Sequence, residues 1–137
     1  MDRADFQRLA VVRLDEALAL HATGHFSGSY YLGGYAVECA LKACIAKSIR
    51  AEEWPEKGFS QKLYTHELPA LLKLAGLDDG QGHPLGGDPA LEVNWSTVKD
   101  WTEQARYLET IDVEARDLLN AIDDAQHGVL QWLKQHW

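Results

Sequence analysis

Glu38 and Lys42 stand four residues apart in an otherwise apolar stretch. That spacing brings an acid and a base together on one helix face. As an ion pair at a bundle edge they would stabilise the helix by about 0.3–0.5 kcal/mol. As a polar island they would line a cleft or meet a partner. His21 and His25 share the four-residue spacing, which suits metal ligation on a helix, but Gly24 falls between them. Glycine ends helices, and zinc needs a third ligand that the nearby sequence does not offer. Cys39 and Cys44 lie at i, i+5, on different helix faces, and read as small buried hydrophobes in a reducing compartment. The sequence has no GxxxxGK[ST] loop, GxGxxG turn, GxSxG elbow or CxxC pair. No catalytic residue, metal or cofactor is assigned from these patterns.

The elements that must position these groups are helices. Phe6, Leu9, Ala10, Ala17 and Leu20, with Val11, Leu14 and Leu18 beside them, keep spacings of three and four. They predict a first helix over Asp5–Thr23, closed by Gly24. The second starts near Ser27 or Ser29, either of which can cap it, and runs to about Arg50. Tyr30, Gly34, Val37, Leu41 and Ile45 form one stripe of it; Tyr31, Tyr35, Cys39, Ala43 and Ala46 form another. Apolar on nearly every side, it should be central. Gly33 and Gly34 inside it suggest the close approach of another backbone.

Residues 51–64, with Trp54-Pro55 and Gly58, read as a connector. Thr65 then caps a short third helix that tolerates Pro69 and closes at Gly76. Asp78–Asp88 is a loop by its glycines. Asp88-Pro89 is an N-cap followed by a first-turn proline, and Trp95, Val98, Ala105 and Leu108 carry the fourth helix on from there. Ala115, Leu118, Leu119, Ile122, Ala125, Val129, Trp132 and Leu133 predict a last helix from Asp112 almost to the end. Trp95, Trp101 and Trp132 fit the core. Trp54 and Trp137 are harder to bury in one bundle and suggest an interface.

Length and composition bound the rest. With 137 residues, 46% hydrophobic and 25% charged, the chain fits one globular domain, 1–137. Its apolar runs are too short to span a bilayer, and Met1-Asp2-Arg3-Ala4-Asp5 carries no leader-like apolar stretch, so the expected location is the cytoplasm. The net charge of −8 is uneven. Residues 1–50 hold six Lys/Arg against five acids, whereas residues 51–137 hold seven against sixteen. Tight nucleic-acid binders concentrate basic charge on one face, so strong nucleic-acid binding is not expected.

The run Tyr30-Tyr31-Leu32-Gly33-Gly34-Tyr35-Ala36-Val37-Glu38-Cys39-Ala40-Leu41-Lys42-Ala43 resembles the second helix of HEPN domains. That family writes an Ala/Val-Glu-x-x-Leu-Lys-Ala core after a small residue and an aromatic. Ala17–Phe26 resembles its first helix and turn. Thr65-His66-Glu67-Leu68 with Leu71-Leu72 resembles its His-x-Leu-x-x-Leu-Leu helix, and Arg106-Tyr107 its Arg-Tyr-Pro-Asp turn. The matches fall in the family's order and cover most of the chain. Two departures stand out. HEPN nucleases carry an arginine, four to six residues, then a histidine. Here Arg13 precedes His21 with seven residues between, Arg116 precedes His127 with ten, and Arg106 has no histidine within reach. Leu108-Glu109 replaces the family's Pro-Asp.

The expected fold is therefore all-α: an antiparallel, up-and-down, HEPN-like bundle of four to five helices. The resemblance implies a non-catalytic binding or interaction module and adds His66, Arg106 and Tyr107 to Glu38 and Lys42 as ligand- or partner-binding candidates. It also implies a nucleotide-like ligand, or a small nucleotidyltransferase partner in a toxin–antitoxin-like pair. The aromatics suggest a homodimer. The alternative is a metal-independent ribonuclease with a non-standard active site. On chemistry alone His66 is a solvated imidazole at a helix start, and Arg106 an arginine complementing a helix C-terminus.

Overall fold

The structure, a computed structural model, describes residues 1–49 and 61–137. The connector with Trp54, Pro55 and Gly58, and the expected last residue of the second helix, Arg50, lie outside the described residues. Among those described the chain forms six α-helices and a short 3₁₀ segment and no β-strand. The helices are α1 (Arg3–Ala22), α2 (Phe26–Ser48), α3 (Leu68–Leu74), α4 (Pro89–Val98), α5 (Asp112–Asp123) and α6 (Val129–Leu133); the 3₁₀ segment is Glu103–Tyr107. The all-helical bundle is as expected, with more pieces.

Two acids start α1. The Asp5 N–H donates to Asp2 Oδ1 at 2.9 Å and the Asp2 N–H to Asp5 Oδ2 at 3.0 Å, a reciprocal cap that moves the helix start ahead of Asp5. Gly24, at φ +82°, closes it. Its N–H reaches His21 O, and the His25 N–H reaches Leu20 O at 2.8 Å, folding the chain straight back into α2.

Neither serine caps α2. His25 holds the N-cap position without a side-chain bond. The Ser27 hydroxyl instead accepts the Thr110 N–H at 2.8 Å, tying the loop before α5 to α2. Ser29 is buried with its hydroxyl unpartnered. The all-round apolar pattern does make α2 central: it touches α1, α3, α5, α6 and the 3₁₀ segment. The two glycines face side chains, not another backbone. A Cβ on Gly33 would sit 2.9 Å from Leu119 Cδ2, and one on Gly34 would overlap the Trp101 indole.

Thr65 does not cap α3. Its hydroxyl accepts the Glu67 N–H at 3.2 Å in a local turn, and the helix begins after Glu67. Asp88 caps α4 as expected, accepting the Ala90 and Leu91 N–H groups. Its other oxygen takes His127 Nδ1 at 2.8 Å, and that bond above all holds the Asp88 carboxyl below its ordinary range.

The fourth helix stops at Val98 rather than continuing to Leu108. Trp101 turns inward over Gly34, and that turn ends the helical path; Ala105 is buried in the 3₁₀ segment while Leu108 is exposed. The last helix is likewise broken. Asp124 leaves the helical region (φ −50°, ψ 131°), and its carboxylate accepts the Gln126 and His127 N–H groups. Ala125 is exposed, so it leaves the stripe. Because Ile122 and Val129 are seven residues apart, the apolar spacing survives the break and hides it.

Trp95 and Trp101 are core residues, whereas Trp132 is half-buried, edge-on to His136. Trp137 is also half-buried: it packs on the core, and its carbonyl accepts Arg3 Nη2 at 2.7 Å. The second stripe of α1 is largely outward, with Val11 and Leu18 exposed. No helix among the described residues is long and apolar enough to cross a membrane.

Candidate functional site

The site is built on one edge of α2, where Tyr31, Tyr35, Glu38 and Lys42 recur every three or four residues and stack along the helix. Glu38 is 2% exposed. A carboxylate so deep must be paired, and it is. Lys42 Nζ donates to its Oε2 at 3.1 Å, and His66 Nδ1 lies 3.0 Å from both of its oxygens. The expected i, i+4 ion pair forms, with Glu38 buried and the Lys42 side chain 14% exposed. His66 precedes α3 and, with its side chain still 42% exposed, reaches across to α2 rather than capping the helix. On its far side, His66 Nε2 lies 3.2 Å from Glu103 Oε2, a charge contact to the first residue of the 3₁₀ segment.

Glu103 was not legible as a site residue. With it the cluster holds two carboxylates, one ammonium and one imidazole, from three separate segments. A cleft of about 400 Å³ opens above the contact, between Tyr64–Glu67 on one wall and Thr102–Gln104 on the other.

Arg106 and Tyr107 end the same 3₁₀ segment. The Arg106 guanidinium sits 4.9 Å from the Tyr107 ring centroid, a cation–π distance. The oxygens of Tyr107 first, then Glu103 and Tyr31, raise the affinity of the guanidinium for its proton. Tyr107 is 71% exposed. Arg106 is therefore charged and open to solvent, attached to the Glu38 cluster through Glu103 rather than by touching it. Tyr31 stacks on Tyr35 at 6.3 Å and on Trp101 at 6.2 Å, an aromatic shelf that joins α2 to the turn before the 3₁₀ segment. Of the five sequence candidates, the structure brings Glu38, Lys42 and His66 into one cluster and sets Arg106 and Tyr107 beside it.

Burial shapes the thiol chemistry nearby. Cys39 is pushed up to about 11, first by desolvation and then by the Glu38 charge; Cys44 is pushed up to about 11 by desolvation. Both are free thiols, poor nucleophiles near neutral pH. His21 Nε2 lies 2.8 Å from Asp112 Oδ1, tying α1 to the first turn of α5. Among the described residues no group of three or more His, Cys, Asp or Glu side chains is placed to hold a metal ion.

No protein-family model matches the chain, nor does any curated protein or solved structure.

Proposed function

We propose that the protein is a HEPN-like, non-catalytic binding module whose ligand face is the Arg106–Tyr107 pair beside the Glu38–Lys42–His66–Glu103 cluster. The observation that carries this reading is the pairing of His66. General acid–base catalysis needs a proton-transfer group free to meet substrate. His66 is instead held against buried Glu38 and lies against Glu103. Tyr107 and Arg106 beside it are exposed. An exposed aromatic ring with a guanidinium on it suits a planar base carrying phosphate, since the ring stacks and the cation takes the anion. A nucleotide-like ligand fits that chemistry. A small nucleotidyltransferase in a toxin–antitoxin-like pair is the partner the HEPN resemblance implies.

A homodimer belongs to the same proposal. Trp137 packs within the chain, whereas Leu108, Ile111 and Val113 are exposed apolar residues that follow the 3₁₀ segment and could meet a second copy. The ribonuclease alternative rests on one observation: His66 Nε2 lies 3.2 Å from Glu103, which stands on the same 3₁₀ segment as Arg106.

Calorimetric titration with adenosine triphosphate tests the ligand reading. The parent is expected to bind, and Tyr107→Ala to bind roughly tenfold or more weakly, because one base–aromatic stack contributes about 1–3 kcal/mol. Absence of binding by the parent, or equal binding by the variant, contradicts it.

A further inference from the structure

We infer that a second copy of the chain docks on the outer face of α1, the two helices lying antiparallel with Arg8 of each copy against Asp15 of the other. The inference deepens the proposed homodimer: it rests on that reading and names the face that forms it.

The inner side of α1 is spent on the core, where Ala10, Leu14 and Ala17 are buried. On the outer side Ala4, Arg8, Val11, Asp15, Leu18 and Ala22 are all exposed and follow one another at spacings of four and three. They therefore form one straight stripe along a 20-residue helix about 30 Å long, with exposed Val12 and Ala19 beside it. Val11, Val12 and Leu18 are 39%, 40% and 38% exposed. Adjacent valines in mid-helix lose side-chain freedom against the preceding turn, and here the fold gives them little packing in return. A seam of this period is what a second helix covers.

Charge selects the second copy as that helix. At −8, two chains repel wherever their acidic surfaces meet, but this stripe holds one base and one acid and is neutral. Arg8 and Asp15 stand equally far from the midpoint between Val11 and Val12. A two-fold axis at that midpoint sets each Arg8 opposite the other copy's Asp15, stacks the valines at the centre, and puts Ala4 opposite Ala19. Such self-matching is what an isologous contact requires, and the alanines let the helices approach closely. Both charges are available. Arg8 is held only by Asp5, in an exposed i, i+3 pair, and Asp15 meets no cation among the described residues. At the C-terminal end His21 lies against Asp112, so exposed Ile111 and Val113 stand beside α1 and widen the surface.

Sedimentation over about 1–100 micromolar, where small interfaces assemble and dissociate, tests the face by exchanging its charges. The parent is expected to dimerise. Arg8→Asp and Asp15→Arg should each weaken the dimer roughly tenfold or more, because each sets two like-charge contacts across the axis. The double variant Arg8→Asp with Asp15→Arg restores both pairs and should return to within about threefold of the parent. Asp15→Arg removes no bond within its own chain, so an unchanged circular dichroism spectrum is expected to show that the monomer is intact. A dimer that ignores either single exchange, or that the double variant does not restore, overturns the α1 face and leaves the homodimer reading standing. A parent that stays monomeric throughout ends both.

Discussion

Replacing Glu38 by alanine removes the acceptor shared by Lys42 and His66, and its cost can be worked from the surroundings. Deleting one member of a buried ion pair costs about 3–5 kcal/mol when the other charge stays desolvated. Here the Lys42 side chain is 14% exposed and His66 42% exposed, so both regain some water. The lysine stem is also flexible enough to swing its ammonium outward. The expected loss for Glu38→Ala is therefore about 2–3 kcal/mol, equivalent to roughly 7–10 °C in Tm for a chain of this length. Glu38→Gln keeps the shape and one acceptor and loses the charge, so about 1–2 kcal/mol is expected. The double variant Glu38→Met with Lys42→Met removes both charges from an apolar face and should lie within about 1 kcal/mol of the parent. Urea unfolding at neutral pH, followed by circular dichroism, measures all three. A loss below about 0.5 kcal/mol for Glu38→Ala would refute the reasoning, since it would mean that the carboxylate is not the buried centre of the cluster.

Gly34→Ala should destabilise by about 1–2 kcal/mol, because overlap with the buried Trp101 ring outweighs the gain in helix propensity; Gly28→Ala, whose Cβ meets only the flexible Leu20 Cδ1 at 3.3 Å, should be neutral or slightly stabilising by the same unfolding assay. Cys39 and Cys44 should resist a thiol reagent at pH 7–8 in the folded protein and react once it is unfolded; fast labelling of the native chain would contradict their burial. Each thiol loses its proton near 9.0 when unfolded and near 11 when folded, so the folded state holds more protons in that window and stability should fall as pH climbs through it, measurable as a declining urea midpoint. Sedimentation at tens of micromolar should show a dimer that Ile111→Glu converts to monomer; a monomeric parent would end the proposed pairing.

The helices were legible because burial writes itself into spacing: Ala10, Leu14 and Ala17 of α1, and nearly every turn of α2, follow the three-and-four pattern into the core. What spacing could not show was where it is interrupted. Ile122 and Val129 keep phase across the break at Asp124, and the signal lay in Asp124 and Gly128, a side-chain cap and a residue with no room for a Cβ. The start of α1 was set by the Asp2–Asp5 reciprocal cap, a short-range bond that an apolar pattern does not register. Ser27 and Ser29 were equally good caps by type; the tertiary bond from Thr110 took one of them, and burial the other. In the site, Glu38 and Lys42 were visible because charge interrupts an apolar face. Glu103 was not, since nothing local marks an acid 65 residues away from Glu38 as its neighbour through a shared histidine. His66, Arg106 and Tyr107 came from resemblance alone, and the chemistry of each became readable when the fold showed what it touches.

The most direct test of the non-catalytic reading is incubation of the purified protein with unstructured RNA, with and without divalent metal, beside His66→Ala and Arg106→Ala. Metal-free phosphodiester cleavage needs a mobile proton and a cation on the same phosphate. Both nitrogens of His66 lie against carboxylates, Nδ1 against Glu38 and Nε2 against Glu103, and the net charge of −8 works against capture of a polyanion. The account predicts no cleavage above background by any of the three proteins. Cleavage by the parent that both substitutions abolish would contradict it and make His66 and Arg106 an active site.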